Sequence, residues 1–179
     1  SVEFLQVDNN QFSEIPQSIY KLMNLNILDF SWNYIAYISA DIHWLKNLKL
    51  LSLHHNRLNS VPNEIVQLKS LEILHLSFNQ LQFLPENLGK LNKLKELELH
   101  HNQLKSLPED IGNLSSLKTL DVSHNNLTEI PESFKKLNHL ESLILSHNNL
   151  TEVPLFLFEL KSLTTLFIDS SLKSEELTT

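Results

Sequence analysis

The sequence predicts an α/β solenoid, with a parallel sheet on one face and short helices or 3₁₀ turns on the other. One observation is the recurrence of asparagine every 23 residues, at Asn10, Asn33, Asn56, Asn79, Asn102, Asn125 and Asn148. Another is the pattern around each, L-x-x-L-x-L-x-x-N-x-L-x-x-[LIV]-P-x-x-[IL]-x-x-L. It reads LKELELHHNQLKSLPEDIGNL from Leu94 to Leu114. The last is proline: Pro16, Pro62, Pro85, Pro108, Pro131 and Pro154 each stand six residues after one of these asparagines. A fixed period of this length marks stacked units, none of which can bury its apolar face alone.

Each part of the repeat has a physical reading. In L-x-L the alternation of a strand turns Leu97 and Leu99 inward and Glu96 and Glu98 outward. The asparagine amide cannot sit among apolar side chains unless it is hydrogen-bonded. The seven asparagines are therefore expected to bond backbone groups of neighbouring coils as a ladder, a structural role. Proline is tolerated at the first position of a helical or 3₁₀ segment, where its missing N–H has no partner to lose. Stretches such as PEDIGNL then form the opposite side of the solenoid. Ser39 replaces proline in the second copy, and Gly89 and Gly112 read as packing residues of these segments.

These residues resemble the leucine-rich repeat, over residues 2 to about 168. The resemblance implies a curved horseshoe with the parallel sheet on its concave face. The 23-residue length and the LPxxI segment resemble the intracellular Ras-group and scribble-like class. That implies a cytoplasmic protein and a protein partner such as a small GTPase or another signalling protein. The domain is expected to cover 1–168, as seven repeats and a partial eighth, followed by a polar C-terminal tail over 169–179. The pattern decays at the next in-phase position, Ser171. Val2 already occupies the first repeat position, so a solenoid cap is expected outside this stretch, in a longer protein.

Composition narrows the function. The chain has 179 residues, 39 Leu, 19 Asn, two Gly and no Cys, and a formal charge of −7. A net acidic chain without a basic run lacks the phosphate-neutralising charge that supplies most nucleic-acid affinity. No stretch approaches the roughly 18 uncharged apolar residues of a membrane span. Without cysteine there is no disulfide, thiol nucleophile or cysteine-bearing zinc site. Two isolated glycines cannot make a phosphate loop. A serine–histidine–aspartate set drawn from Ser123, His100 and Asp121 has no closed pocket to preorganise it. The chain is read as a binding protein without catalytic residues or cofactor.

Binding sites in solenoids lie on the surface that stacking creates. With coils about 4.8 Å apart, each variable position makes a column down the sheet. The third position runs Phe4, Ile27, Leu50, Ile73 and then Glu96, Thr119, Ser142, Thr165. The fifth includes His75, Glu98 and Asp121, the seventh His54 and His100, and the eighth Trp32, His55, Phe78, His101, His124 and His147. Phe4, Ile27, Trp32, Leu50, Ile73 and Phe78, with Tyr34 on the rim, are expected to form an apolar partner patch. The competing reading is strand-flanking packing between coils. Glu96, Glu98 and Asp121 make an acidic centre suited to a basic partner, or serve only to solubilise.

Seven of nine histidines fall on this face. They are read as plain surface residues, as pH-sensitive contacts or as metal ligands. A shallow sheet offers few convergent ligands and little to orient them, so no metal site is assigned. The partner-binding set is thus Phe4, Ile27, Trp32, Tyr34, Leu50, His55, Ile73, Phe78, Glu96, Glu98, His101, Asp121, His124 and His147. Oligomeric state and partner identity are left open. A targeting region of a larger signalling enzyme and a microbial surface or secreted recognition protein stand as alternatives.

Overall fold

The computed structural model describes residues 2–170 and Leu172. Most of the polar tail expected over 169–179 lies outside the described residues. Each coil supplies one three-residue strand: β1 (Phe4–Gln6), β2 (Ile27–Asp29), β3 (Leu50–Ser52), β4 (Ile73–His75), β5 (Glu96–Glu98), β6 (Thr119–Asp121), β7 (Ser142–Ile144) and β8 (Thr165–Phe167). They form one open sheet in chain order, every neighbouring pair parallel. The register follows the 23-residue period, so Phe4 faces Ile27, which faces Leu50, which faces Ile73. This sheet is the concave face of a leucine-rich solenoid.

The returns are 3₁₀ helices: η1 (Ile19–Lys21), η2 (Ala40–Trp44), η3 (Asn63–Gln67), η4 (Leu88–Lys90), η5 (Glu109–Asn113), η6 (Glu132–Lys136) and η7 (Leu155–Glu159). Segments this short are well suited to 3₁₀ geometry and too short to sustain an α-helix. Pro62, Pro108, Pro131 and Pro154 sit just before their segments, one residue ahead of the first helical position expected for them. Each proline carbonyl accepts the N–H three residues on, at 3.0–3.1 Å.

The exception in the second coil has a cause. The Ser39 N–H donates to the Tyr20 hydroxyl at 3.2 Å, a bond proline could not make. Ser39 Oγ in turn accepts from the Asp41 N–H and caps η2. Tyr20 is buried, and that burial pushes its hydroxyl pKa up to about 12.

The core is one continuous cluster from Ile15 to Leu160. The middle residues of β2 to β7, Leu28, Leu51, Leu74, Leu97, Leu120 and Leu143, face it, and Ile42, Ile65, Ile111, Phe134 and Leu157 meet them from the returns. Burying one such side chain contributes about 1.5–3 kcal/mol. Stability is therefore spread along the stack as coil and neighbour terms.

Between sheet and returns runs the asparagine ladder. The Asn79 carboxamide oxygen accepts from the Leu58 N–H of the preceding coil at 2.9 Å, and its NH₂ donates to the carbonyls of Leu53, Leu76 and Ser77. Asn33, Asn56, Asn102, Asn125 and Asn148 repeat this reach into the preceding coil. Asn10 is exposed, and among the described residues its carboxamide bonds only the Val7 and Asp8 carbonyls of its own coil.

Candidate functional site

The candidate residues divide among parallel columns with different environments. On the strands, the third position carries exposed Phe4 and half-buried Ile27, Leu50 and Ile73, continuing through half-buried Glu96. These apolar residues are successive ladder partners and leave part of their surface to solvent. Tyr34 lies beside the turn that follows β2, with the Arg57 guanidinium 4.3 Å from its ring centroid. At the seventh position the structure buries Ser31, Ser77 and Ser123 and half-buries His54 and His100, so this column is not a solvent-facing row.

The eighth position behaves differently from the strand columns. It lies beyond each strand, and in coils one to seven its backbone is left-handed: φ is 54° at Asn9, 53° at Trp32, 55° at His55, 53° at Phe78, 54° at His101, 52° at His124 and 58° at His147. Such a conformation is uncommon outside glycine, asparagine, aspartate and histidine. Repeated at a 23-residue interval, it gives every ring the same exit direction. The result is a row of parallel rings: Trp32 on His55 at 3.7 Å, then His55–Phe78, Phe78–His101, His101–His124 and His124–His147, each at 4.1 Å with planes within 21°.

Trp32 and Phe78 therefore belong to a ring row on the turns, whereas Phe4, Ile27, Leu50 and Ile73 belong to the sheet floor. The expected patch thus draws on two kinds of element, the strands and the turns that follow them. An open groove of about 470 Å³ runs at the Trp32 end of the row, lined by Asn9, Trp32, Tyr34, His55 and Arg57.

His54 and His100 brace the row edge-on. The His54 Nδ1 lies 2.9 Å from the His55 Nδ1, and the His100 Nδ1 lies 3.1 Å from that of His101. Burial, followed by the charge of neighbouring imidazoles, holds the pKa values of His55 and His101 below the ordinary histidine value. Burial likewise lowers that of His54, against the pull of Asp29.

The acidic centre is organised on β4 and β5. His75 Nε2 lies 2.7 Å from Glu96 Oε1 and 3.8 Å from Glu98 Oε2. One ligand-type atom from each of these three residues lies within 4.8 Å of the other two. The convergence not expected of a shallow sheet is thus present. Asp121, across the ladder from Glu98, accepts from the Ser123 hydroxyl and N–H instead.

The sequence reading did not single out Arg57 and Phe167. Arg57 follows Tyr34 by one 23-residue period, and an in-phase reading of that position would have found it. Phe167 ends the fifth-position column on β8 with 57% of its surface exposed. Among the described residues, no helix is long and apolar enough to cross a membrane.

Comparison with known proteins agrees with this architecture. The family model for a leucine-rich repeat region matches residues 2–100 and 82–178. Among solved structures, a leucine-rich repeat protein of Leptospira interrogans is 35% identical with a TM-score of 0.78, covering 90% of this chain and 47% of its own length. An internalin, InlF, of Listeria monocytogenes is 26% identical with a TM-score of 0.72, covering 85% of this chain and 44% of the internalin. The structure of PEPR1–AtPEP1 is 31% identical with a TM-score of 0.75, covering 86% of this chain and 22% of that one. The chain thus spans under half the length of each of these structures. No curated protein sequence matches it. Its in-phase coils, its parallel ladder and the family match together place this chain in the leucine-rich repeat family.

Proposed function

We propose that this chain is a protein-interaction scaffold that takes its partner on the concave side, along the ring row and the adjoining sheet. The observation that carries the reading is the continuity of that row over six successive coils. Apolar side chains are also exposed on and beside the returns, but in smaller groups, Trp44 with Met23 along one groove and Leu155 with Phe158 on η7. A contiguous aromatic surface with polar edges is the kind that partner proteins bury, and Trp and Tyr are favoured anchors. The acidic residues Glu96, Glu98 and Asp121 add charge that selects a basic complement. The chain acts by binding, with no catalytic role of its own. The 23-residue LPxxI repeat supports a cytoplasmic, Ras-group placement with a small GTPase or signalling partner.

A second reading is a recognition region of a microbial surface or secreted protein. It is favoured by the 35% identity to the Leptospira protein and the similarity to an internalin of Listeria. Both readings use the same face and differ in the compartment that supplies the partner.

Affinity capture with mass spectrometry tests the face. One bait is the unaltered chain, one carries Phe4→Ser, Trp32→Ala, Tyr34→Ser and Phe78→Ala, and one carries Trp44→Ala, Leu155→Ser and Phe158→Ser on the returns. Circular dichroism checks each fold. A partner lost only from the concave variant supports the reading, and its compartment separates the two placements. Loss only from the return-side variant overturns it.

A further inference from the structure

We propose that His75, Glu96 and Glu98 form a binding site for a divalent zinc ion on the concave face. The three side chains come from two adjacent strands held in a parallel ladder. Glu96 and Glu98 flank the buried Leu97 on β5, so both carboxylates leave the same side of the sheet. His75 lies on β4 directly across from Glu98. This i, i+2 pair with one cross-strand imidazole brings three ligand atoms within 4.8 Å of one another.

The distances suit a small cation. Zinc holds nitrogen and oxygen ligands at about 2.0–2.2 Å, which separates the ligand atoms of a tetrahedral site by roughly 3.3 Å. The separations here, 2.7 Å to Glu96 and 3.8 Å to Glu98, bracket that value. One imidazole and two carboxylates suit zinc better than magnesium or calcium, which favour all-oxygen shells. Three protein ligands leave one position for water.

Charge supplies a second, independent argument. Elsewhere Glu72, Glu132 and Glu141 each pair with a lysine. Among the described residues, Glu96 and Glu98 form ion pairs only with His75, which carries charge only when protonated. Two carboxylates without a lysine or arginine partner are a pairing that a divalent ion completes. Coordination uses the Nε2 lone pair, so a proton on that nitrogen moves to Nδ1 or is released to solvent.

Isothermal titration calorimetry of the whole chain with zinc chloride at neutral pH, after removal of metal by a chelator, reads this directly. One zinc per chain is expected. Glu96→Gln and His75→Gln should each weaken binding at least tenfold, since even losing an outer partner of a ligand costs 10–100-fold. All three ligands are partly exposed, and Glu98→Gln serves where either variant fails to fold by circular dichroism. A control with His101→Asn and His124→Asn in the ring row should bind zinc unchanged. No zinc uptake, undiminished binding in Glu96→Gln, or loss of binding in the ring-row control overturns the site. The titration contains no protein partner, so its failure leaves the scaffold reading standing, and the failure of the capture experiment leaves the metal site standing.

Discussion

The imidazole of His55 lies flat against the phenyl ring of Phe78, with centroids 4.1 Å apart and planes within 18°. The two residues are one period apart, and both have left-handed backbone, φ 55° and 53°. Strand spacing of about 4.8 Å is slightly more than the thickness of an aromatic ring, so equal backbone geometry in successive coils produces face-to-face contact. The ring row follows from repetition combined with a strained backbone conformation, which each ring helps to compensate.

Phe78 tests that balance. Phe78→Ala removes stacking on His55 and His101 and an edge contact with His100. At about 0.5–1.5 kcal/mol per aromatic contact, the expected loss is about 1.5–4.5 kcal/mol. Phe78→Gly loses the same contacts but fits a positive φ without the penalty of about 1–2 kcal/mol carried by a residue with Cβ. The glycine variant should therefore be the more stable of the two by about 1 kcal/mol in urea denaturation. Equal midpoints would mean that left-handed strain is not being carried at this position.

The same row makes stability depend on pH. Burial, then the neighbouring imidazoles, lower the pKa values of His55 and His101 in the folded chain, while the unfolded value is about 6.5. Below about 6.5 the unfolded chain takes up protons that the folded row resists, so stability falls with pH. The contribution is complete above about 6.5 and is lost as pH drops through that value toward the lower folded ones. Urea midpoints should decline from pH 7.5 to 5.5. His55→Phe, which keeps a ring and removes a proton site, should shrink that decline.

The period was enough to place Leu97 inward, Glu96 and Glu98 outward and Asn79 between coils, because burial leaves a regular repeat only one consistent register. The columns also put His75 beside Glu98, though the meeting of ligand atoms depends on side-chain rotamers that no pattern encodes. The ring row was less legible. Trp32 and Phe78 are residue types that rarely adopt positive φ, so nothing local marked them off from the strand columns. Ser39 looked like a lost proline, because its use, donating an N–H to Tyr20, depends on a side chain from the preceding coil.

The ladder should be costly to break inside the stack and cheap at its start. Asn79→Leu leaves the Leu58 N–H, bonded at 2.9 Å to the Asn79 side chain, buried without an acceptor, and strips a donor from the carbonyls of Leu53 and Leu76. At about 1–3 kcal/mol for an unsatisfied buried group, with the added misfit of the leucine, the expected loss is about 3–5 kcal/mol. The exposed Asn10 carboxamide bonds the Val7 and Asp8 carbonyls of its own coil, and Asn10→Ala should cost less than about 1 kcal/mol. Similar losses at the two sites in chemical denaturation would contradict the inter-coil role of the ladder.

Gly112 should reject the smallest side chain. Its N–H points to Ser133 Oγ at 3.3 Å, and a Cβ added there would stand 1.9 Å from the Ser133 carbonyl oxygen and 2.5 Å from its carbon. Those are backbone atoms of the next return, so no rotamer change relieves the clash, and η5 and η6 must separate. Replacing glycine with alanine reduces unfolded-state entropy and would stabilise by about 0.4–1 kcal/mol if the site could accept it. Overpacking against a neighbouring backbone costs about 1–3 kcal/mol and should win. Gly112→Ala is therefore expected to unfold at lower urea than the unaltered chain. A midpoint at or above that of the unaltered chain would show that the returns can separate freely, and that this coil contact is not what selects glycine.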